Sequence, residues 1–173
     1  MLDAAAFVKQ KTVFGGDSDS LNGCLIPIGN CVVNPLTLNQ AHQIVQGAIH
    51  AARAANYKPM GIVVLDASGQ LVAFSREDGA SMFRFDIARG KAWGAVGMGS
   101  SSRALAERAK DNPNFFVALA ATAEGKFLPQ PGAVLIKDAQ GQILGSAGAS
   151  GGTGDEDELI CIAGIQAAGL VAG

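Results

Sequence analysis

The sequence has little charge, few aromatics and almost no histidine or cysteine. Charged residues make up 16% of the 173 positions and aromatics 6%, with one Trp and one Tyr. So low a charge fraction excludes a disordered, solvating chain. Lys and Arg number 13 against 15 acids, for a net charge of -2. There is no basic excess to neutralise phosphates, so nucleic acid is not an expected partner. The cysteines are Cys24, Cys31 and Cys161, an odd number in a chain well above mini-protein size. A disulfide framework is therefore not expected, and reduced thiols in a cytoplasmic protein are. No CxxC pair or Cys/His cluster is present, so no metal site is predicted. The first residues lack a charged start followed by an apolar run, which argues against a signal peptide. Every apolar stretch is interrupted well before the roughly 18 residues a membrane span needs. A Ser-His-Asp order, a P-loop and a GxGxxG after a strand are all missing, leaving acyl transfer, nucleotide hydrolysis and dinucleotide binding without support.

What the chain does have is small and apolar. Apolar residues reach 49%, and 53 of the 173 positions are Gly or Ala. The mean hydropathy is +0.25. This is one domain's worth of chain, able to bury a core. Small residues let helices pack with close backbones. With so little charge, part of the surface is expected to be covered by further copies of the chain, as a homo-oligomer of hexamer to octamer size.

Residues 1–35 read as an N-terminal arm, with a short helix over Asp3–Lys11, a turn-rich break at Gly15–Ser20 and an edge strand within Cys24–Val33. The domain proper is residues 36–173. Thr37 and Gln40 form a capping box that starts a helix running to about Asn56, with Ala41, Val45, Ala48, Ala52 and Ala55 on its apolar face. Met60–Asp66, a turn at Asp66–Gly69, and Gln70–Arg76 predict a β-hairpin. Met82–Met98 reads as a helix whose Gly90, Gly94 and Gly97 invite another backbone close. Serine-capped Ser100–Lys110 and a helix from Pro113 to about Ala123 follow, the latter anchored by Phe115, Phe116 and Leu119. A second hairpin, Ala133–Lys137 with Gln142–Ser150, echoes the first at an offset of 72 through a shared Asp-Ala-x-Gly-Gln turn. Asp caps such a bend and Gly supplies the positive φ. Thr153 and Glu156 form a second capping box, and acids at 155–158 complement the macrodipole of the last helix. Two hairpins, a fifth strand from residues 24–33 and covering helices make an α+β fold with one antiparallel sheet of four to five strands.

Several motifs, in order, resemble the GlcG/HbpS family, also called the haem-degrading domain family. They are Leu36-Thr37-Leu38, Val64–Ala67 with Gly69, Leu71–Phe74, Arg76-x-Asp78-Gly79-Ala80, Asp86-x-Ala88-x-x-Lys91-Ala92, Asn112-Pro113, Pro131-Gly132 and Ser150–Thr153 before an acidic helix start. The resemblance spans roughly residues 36–170. It implies a profilin-like α/β/α fold, ring-shaped homo-oligomers, and haem binding in some members. Other members belong to catabolic operons, including glycolate use. Where the family usually has Pro-Gly-Gly-Val-Pro, this chain has Pro131–Leu135 reading Pro-Gly-Ala-Val-Leu, and Gly94 stands where a larger residue is common.

The candidate chemistry follows from a few side chains. His42 and His50 are the only imidazoles. Eight apart on one helix, they stand about 80° apart around its axis and do not form a tight metal pair. Either can be an axial haem ligand, with His42 favoured for its place beside the small-residue face. Arg76, Asp78, Arg84, Asp86 and Lys91 gather around the first hairpin's exit, where cations can hold a carboxylate or a haem propionate. Structural ion pairs are the competing reading. Ser150–Thr153 looks like an anion cradle, but four acids follow it, and a capping box explains it better. The leading function is thus binding of haem or a small anionic ligand, with His42, His50 and Arg76 as the binding residues. The alternative is a cofactor-free isomerase, hydratase or lyase on a small organic acid. There Arg76 or Lys91 would bind the carboxylate, and Asp78 or Asp86 would move a proton.

Overall fold

A computed structural model describes residues 35–173. The expected arm, with Cys24 and Cys31, lies almost wholly outside them. The elements run α1 (Leu38–Ala54), β1 (Gly61–Asp66), β2 (Leu71–Arg76), α2 (Arg84–Met98), α3 (Ser102–Asp111), α4 (Pro113–Thr122), β3 (Ala133–Lys137), β4 (Ile143–Ser150), α5 (Gly154–Ala167) and β5 (Val171–Ala172). The sheet order is β2-β1-β4-β3-β5, antiparallel throughout. The fold is α+β, as the sequence predicts. The fifth described strand is β5, paired with β3 at the C-terminal end; the strand expected within residues 24–33 lies outside the described residues.

The two hairpins are built by the same local chemistry. Asp66 Oδ1 accepts from the Ser68 and Gln70 amides at 2.8 and 2.9 Å. Asp138 Oδ1 accepts from the Gln140 and Gln142 amides at 3.0 and 2.8 Å. Gly69 and Gly141 carry the positive φ, +75° and +82°. The register shifts at Val64/Leu65 in one hairpin and Ile136/Lys137 in the other, again 72 residues apart.

Strand alternation divides the core into two layers. Ile62, Val64, Val134, Ile136, Ala147 and Ala149 pack against α1 and α5. Val63, Leu65, Ala133 and Leu135 pack against Ala88, Ala92 and Ala95 of α2. β4 presents small residues to α2. A Cβ at Gly148 would collide with the Ala88 carbonyl, and Ser146 Oγ donates to Ala92 O at 2.8 Å. Both capping boxes are formed as expected. On α1 the buried face includes Ile44, while Ala55 becomes the exposed C-cap. Gly90 accepts a close backbone, with its carbonyl bonded to the Leu128 amide at 3.2 Å, and Gly94 meets the Phe127 ring. Gly97 meets nothing within 4 Å. Phe116, Leu105 and Phe127 form a satellite core beneath α4. Phe115, expected as an anchor, is 46% exposed, because it points about 100° around the helix from Phe116.

Candidate functional site

The face of α2 that carries Arg84, Ile87 and Lys91 has spacings of three and four and turns toward the start of α5. With Ser150 at the end of β4, Gly152, and Pro131 before β3, it lines a cleft of about 580 Å³.

At the cleft's inner wall, Lys91 and Asp157 are 6% and 1% exposed. Lys91 Nζ donates to Asp157 Oδ2 at 2.8 Å and to the Ala149 carbonyl at 3.2 Å. The other carboxylate oxygen of Asp157 accepts from the Gly152 amide at 3.1 Å. The pair thus ties α2 to α5 and to the loop between β4 and α5. It leaves no room beside it: at Gly132, whose φ is +119°, a Cβ would stand 2.7 Å from Asp157 Cβ and 2.8 Å from Lys91 Nζ. Cys161 lies beneath, with Sγ 3.7 Å from the Gly132 carbonyl. Burial pushes the Cys161 thiol far above its ordinary range, and the neighbouring Asp157 charge adds to this. Cys161 is therefore a neutral, buried thiol and not a nucleophile.

Arg84 is the cleft's open cation. Its Nη1 donates to Ser150 Oγ across a long 3.4 Å. Its Nε is buried and has no hydrogen-bond partner. A buried charged donor without an acceptor is costly, so this N–H marks where an acceptor belongs.

At the rim, Arg103 of α3 donates to Asp155 and, at 2.7 Å, to Glu158. Those hydrogen bonds, Asp155's foremost, hold the Arg103 guanidinium above its ordinary value. The four acids at 155–158 are consequently engaged: Asp155 and Glu158 by Arg103, Glu156 in the capping box, and Asp157 by Lys91. Two cations meet these four acids, so the start of α5 remains net negative.

The residues expected to act are spread apart. His42 and His50 lie on the exposed side of α1. His42 lines a separate groove of about 370 Å³ with Gln46, Phe74 and Ser75. Arg76 is exposed at the end of β2, Asp78 in the turn after it, and Asp86 in the first turn of α2. None of these lines the cleft beside Lys91, whereas Arg84 does. Asp86 stands about 140° around α2 from Lys91. Sequence reasoning missed Asp157 and Ser150 as site residues. Asp157 is one of four adjacent acids, and only the neighbouring Gly151-Gly152 hinted that something comes close.

A family model described as haem degrading protein HbpS-like matches residues 36–166. No curated protein matches the chain. Among solved structures, the chain is similar to PduOC, crystallised as a haem complex, with 25% identity and a TM-score of 0.70 over 79% of this chain and 96% of that one. Klebsiella pneumoniae protein ORFY gives 22% identity and a TM-score of 0.70, covering 77% and 90%. A double mutant of Streptomyces reticuli HbpS gives 23% and 0.67, covering 91% and 97%. The last two likenesses concern the fold alone.

Proposed function

Since the chain belongs to the HbpS-like family of haem-degrading proteins, we propose that it binds a small carboxylate-bearing ligand in the cleft between α2 and the start of α5, with Arg84 as the anchor. The observation that carries this reading is that Arg84, whose buried Nε–H has no hydrogen-bond partner, lines a cleft of about 580 Å³. That volume lies within the range of small-molecule sites. A carboxylate meets a guanidinium through charge-assisted hydrogen bonds worth about 1.5–3 kcal/mol each. Calorimetric titration with propionate tests it. Arg84→Gln is expected to weaken binding at least about tenfold, or about 1.4 kcal/mol. Arg76→Ala, Asp78→Asn and Asp86→Asn, all outside the cleft, are expected to leave the affinity unchanged. Equal affinity in wild type and Arg84→Gln refutes the reading.

Haem is the second reading, supported by the likeness to PduOC, which was crystallised with haem. The Arg84 donors suit a propionate. No imidazole or thioether lines the cleft, however, and Lys91 is committed to Asp157. His42 opens on a different groove, so the described residues of one chain do not form a single haem cradle. Haem binding at His42 is therefore a site separate from the carboxylate cleft. Self-association belongs to the same proposal. Met82 and Val117 are each 71% exposed and Phe83 is 59% exposed, apolar side chains that further copies of the chain would cover.

A further inference from the structure

We infer that Gly61 is a positioning residue for the cleft: the side chain it lacks is what allows Arg84 to lie against the sheet and reach Ser150. This rests on the reading that Arg84 anchors a carboxylate; Gly61 itself does not line the cleft.

A glycine inside a strand marks a bulge, a bend or the close approach of another group. Gly61 has no positive φ, and β1 shifts its register at Val64/Leu65, not here. Close approach remains. Gly61, Val63 and Leu65 alternate onto one face of β1. That face meets α2, whose Ala88 and Ala92 pack on Val63 and Leu65. Arg84 is four residues before Ala88, on the same stripe of the helix. A Cβ at Gly61 would stand 2.7 Å from Arg84 Cβ, 3.2 Å from its carbonyl carbon and 3.3 Å from its carbonyl oxygen. These atoms belong to the backbone or adjoin it, so no change of rotamer moves them away.

Gly61 stands opposite Ser150 in the β1–β4 ladder. The side chains of such a pair share one face of the sheet, with Cβ atoms about 4.5–5.5 Å apart. Here one half of the pair is empty. Arg84 fills it, and its Nη1 donates to the hydroxyl of the other half at 3.4 Å. The middle of α2 does not depend on this seat. It is held by β4, where Gly148 lies under the Ala88 carbonyl and Ser146 Oγ donates to Ala92 O at 2.8 Å. The first turn of α2 has no side-chain cap. A methyl group at position 61 therefore lifts that turn, and Arg84 with it, before it dislodges the helix.

Full-length Gly61→Ala is compared with wild type by calorimetric titration with propionate. Its affinity is expected to fall at least tenfold, as in Arg84→Gln, with an unchanged far-UV circular dichroism spectrum. In the Arg84→Gln background the same methyl group is expected to cost less than twofold, because the anchor it displaces is already gone. Ile44→Val, a core change on the opposite face of the sheet, controls for lost stability and is expected to keep the affinity within twofold. Wild-type, Arg84-dependent affinity in Gly61→Ala overturns the inference but leaves carboxylate binding standing. An equal loss in both backgrounds, or in Ile44→Val, shows a general loosening of the structure and also overturns it. So does a Gly61→Ala chain that fails to fold, since the glycine is then a requirement of the fold and not of the site. No propionate binding by wild type, or equal binding by wild type and Arg84→Gln, overturns both readings.

Discussion

Replacing Asp157 by Ala would leave Lys91 as an uncompensated charge in a site with almost no access to water. Both residues are nearly solvent-free, at 6% and 1% exposure. The substitution removes the 2.8 Å ion pair and also the acceptor of the Gly152 amide. Breaking a buried pair from one side costs about 3–5 kcal/mol, because the surviving charge has lost its water and its partner together. For a chain of this length that corresponds to a fall of roughly 6–20 °C in melting temperature. The pair itself contributes far less than this figure. Exchanging both residues for apolar ones of similar volume, Lys91→Met with Asp157→Leu, is expected to recover most of the loss, since well-packed apolar replacements of such pairs are often neutral or stabilising. Chemical denaturation at one fixed protein concentration, monitored by far-UV circular dichroism, gives both values. A single-variant cost below about 1 kcal/mol, or a double variant as unstable as the single, would refute the reasoning. Either result would mean that water reaches Lys91 or that the chain relaxes around it.

Three further outcomes are expected. In a Cys24→Ser/Cys31→Ser background, Cys161 should be inert to thiol reagents until the chain unfolds; because its folded-state pKa is raised, the unfolded chain loses this proton first. Stability should then be full below about pH 8.5 and fall above it by up to about 1.4 kcal/mol per pH unit, a slope that Cys161→Ala should abolish; an alkaline profile that Cys161→Ala leaves unaltered contradicts the assignment. On haem titration, His42→Ala should shift or remove the Soret band and His50→Ala should leave it; an unchanged band in both excludes histidine ligation. Light scattering at micromolar concentration should give a mass several times 17.6 kDa, in the hexamer to octamer range; a mass near that of one chain rules out self-association.

The parts of this protein that were legible in its sequence are those whose partners lie within about four residues along the chain. The capping boxes Thr37/Gln40 and Thr153/Glu156, the Ser101 cap, and the Asp66 and Asp138 turns each bond across two to four positions. Backbone geometry brings such residues together in any fold that contains the element, so residue type and spacing suffice. The 72-residue echo of the hairpins extended this to a shared register shift. Only the tertiary structure could show that β5 makes a fifth strand among the described residues, since it pairs with β3 through backbone groups that carry no side-chain signature. The site is long-range in the same way. Lys91 meets Asp157 across 66 positions, and Arg84 meets Ser150 across 66. Asp157 differs from the three acids beside it only in facing inward. Asp86 and Lys91, five apart on one helix and so off pairing spacing, are separate candidates for the enzyme reading, and the helix turns them about 140° apart. Which of several like charges becomes a buried partner depends on how the helices dock on the sheet, and that is fixed by the packing of the small residues of β4 and α2, not by the charges themselves.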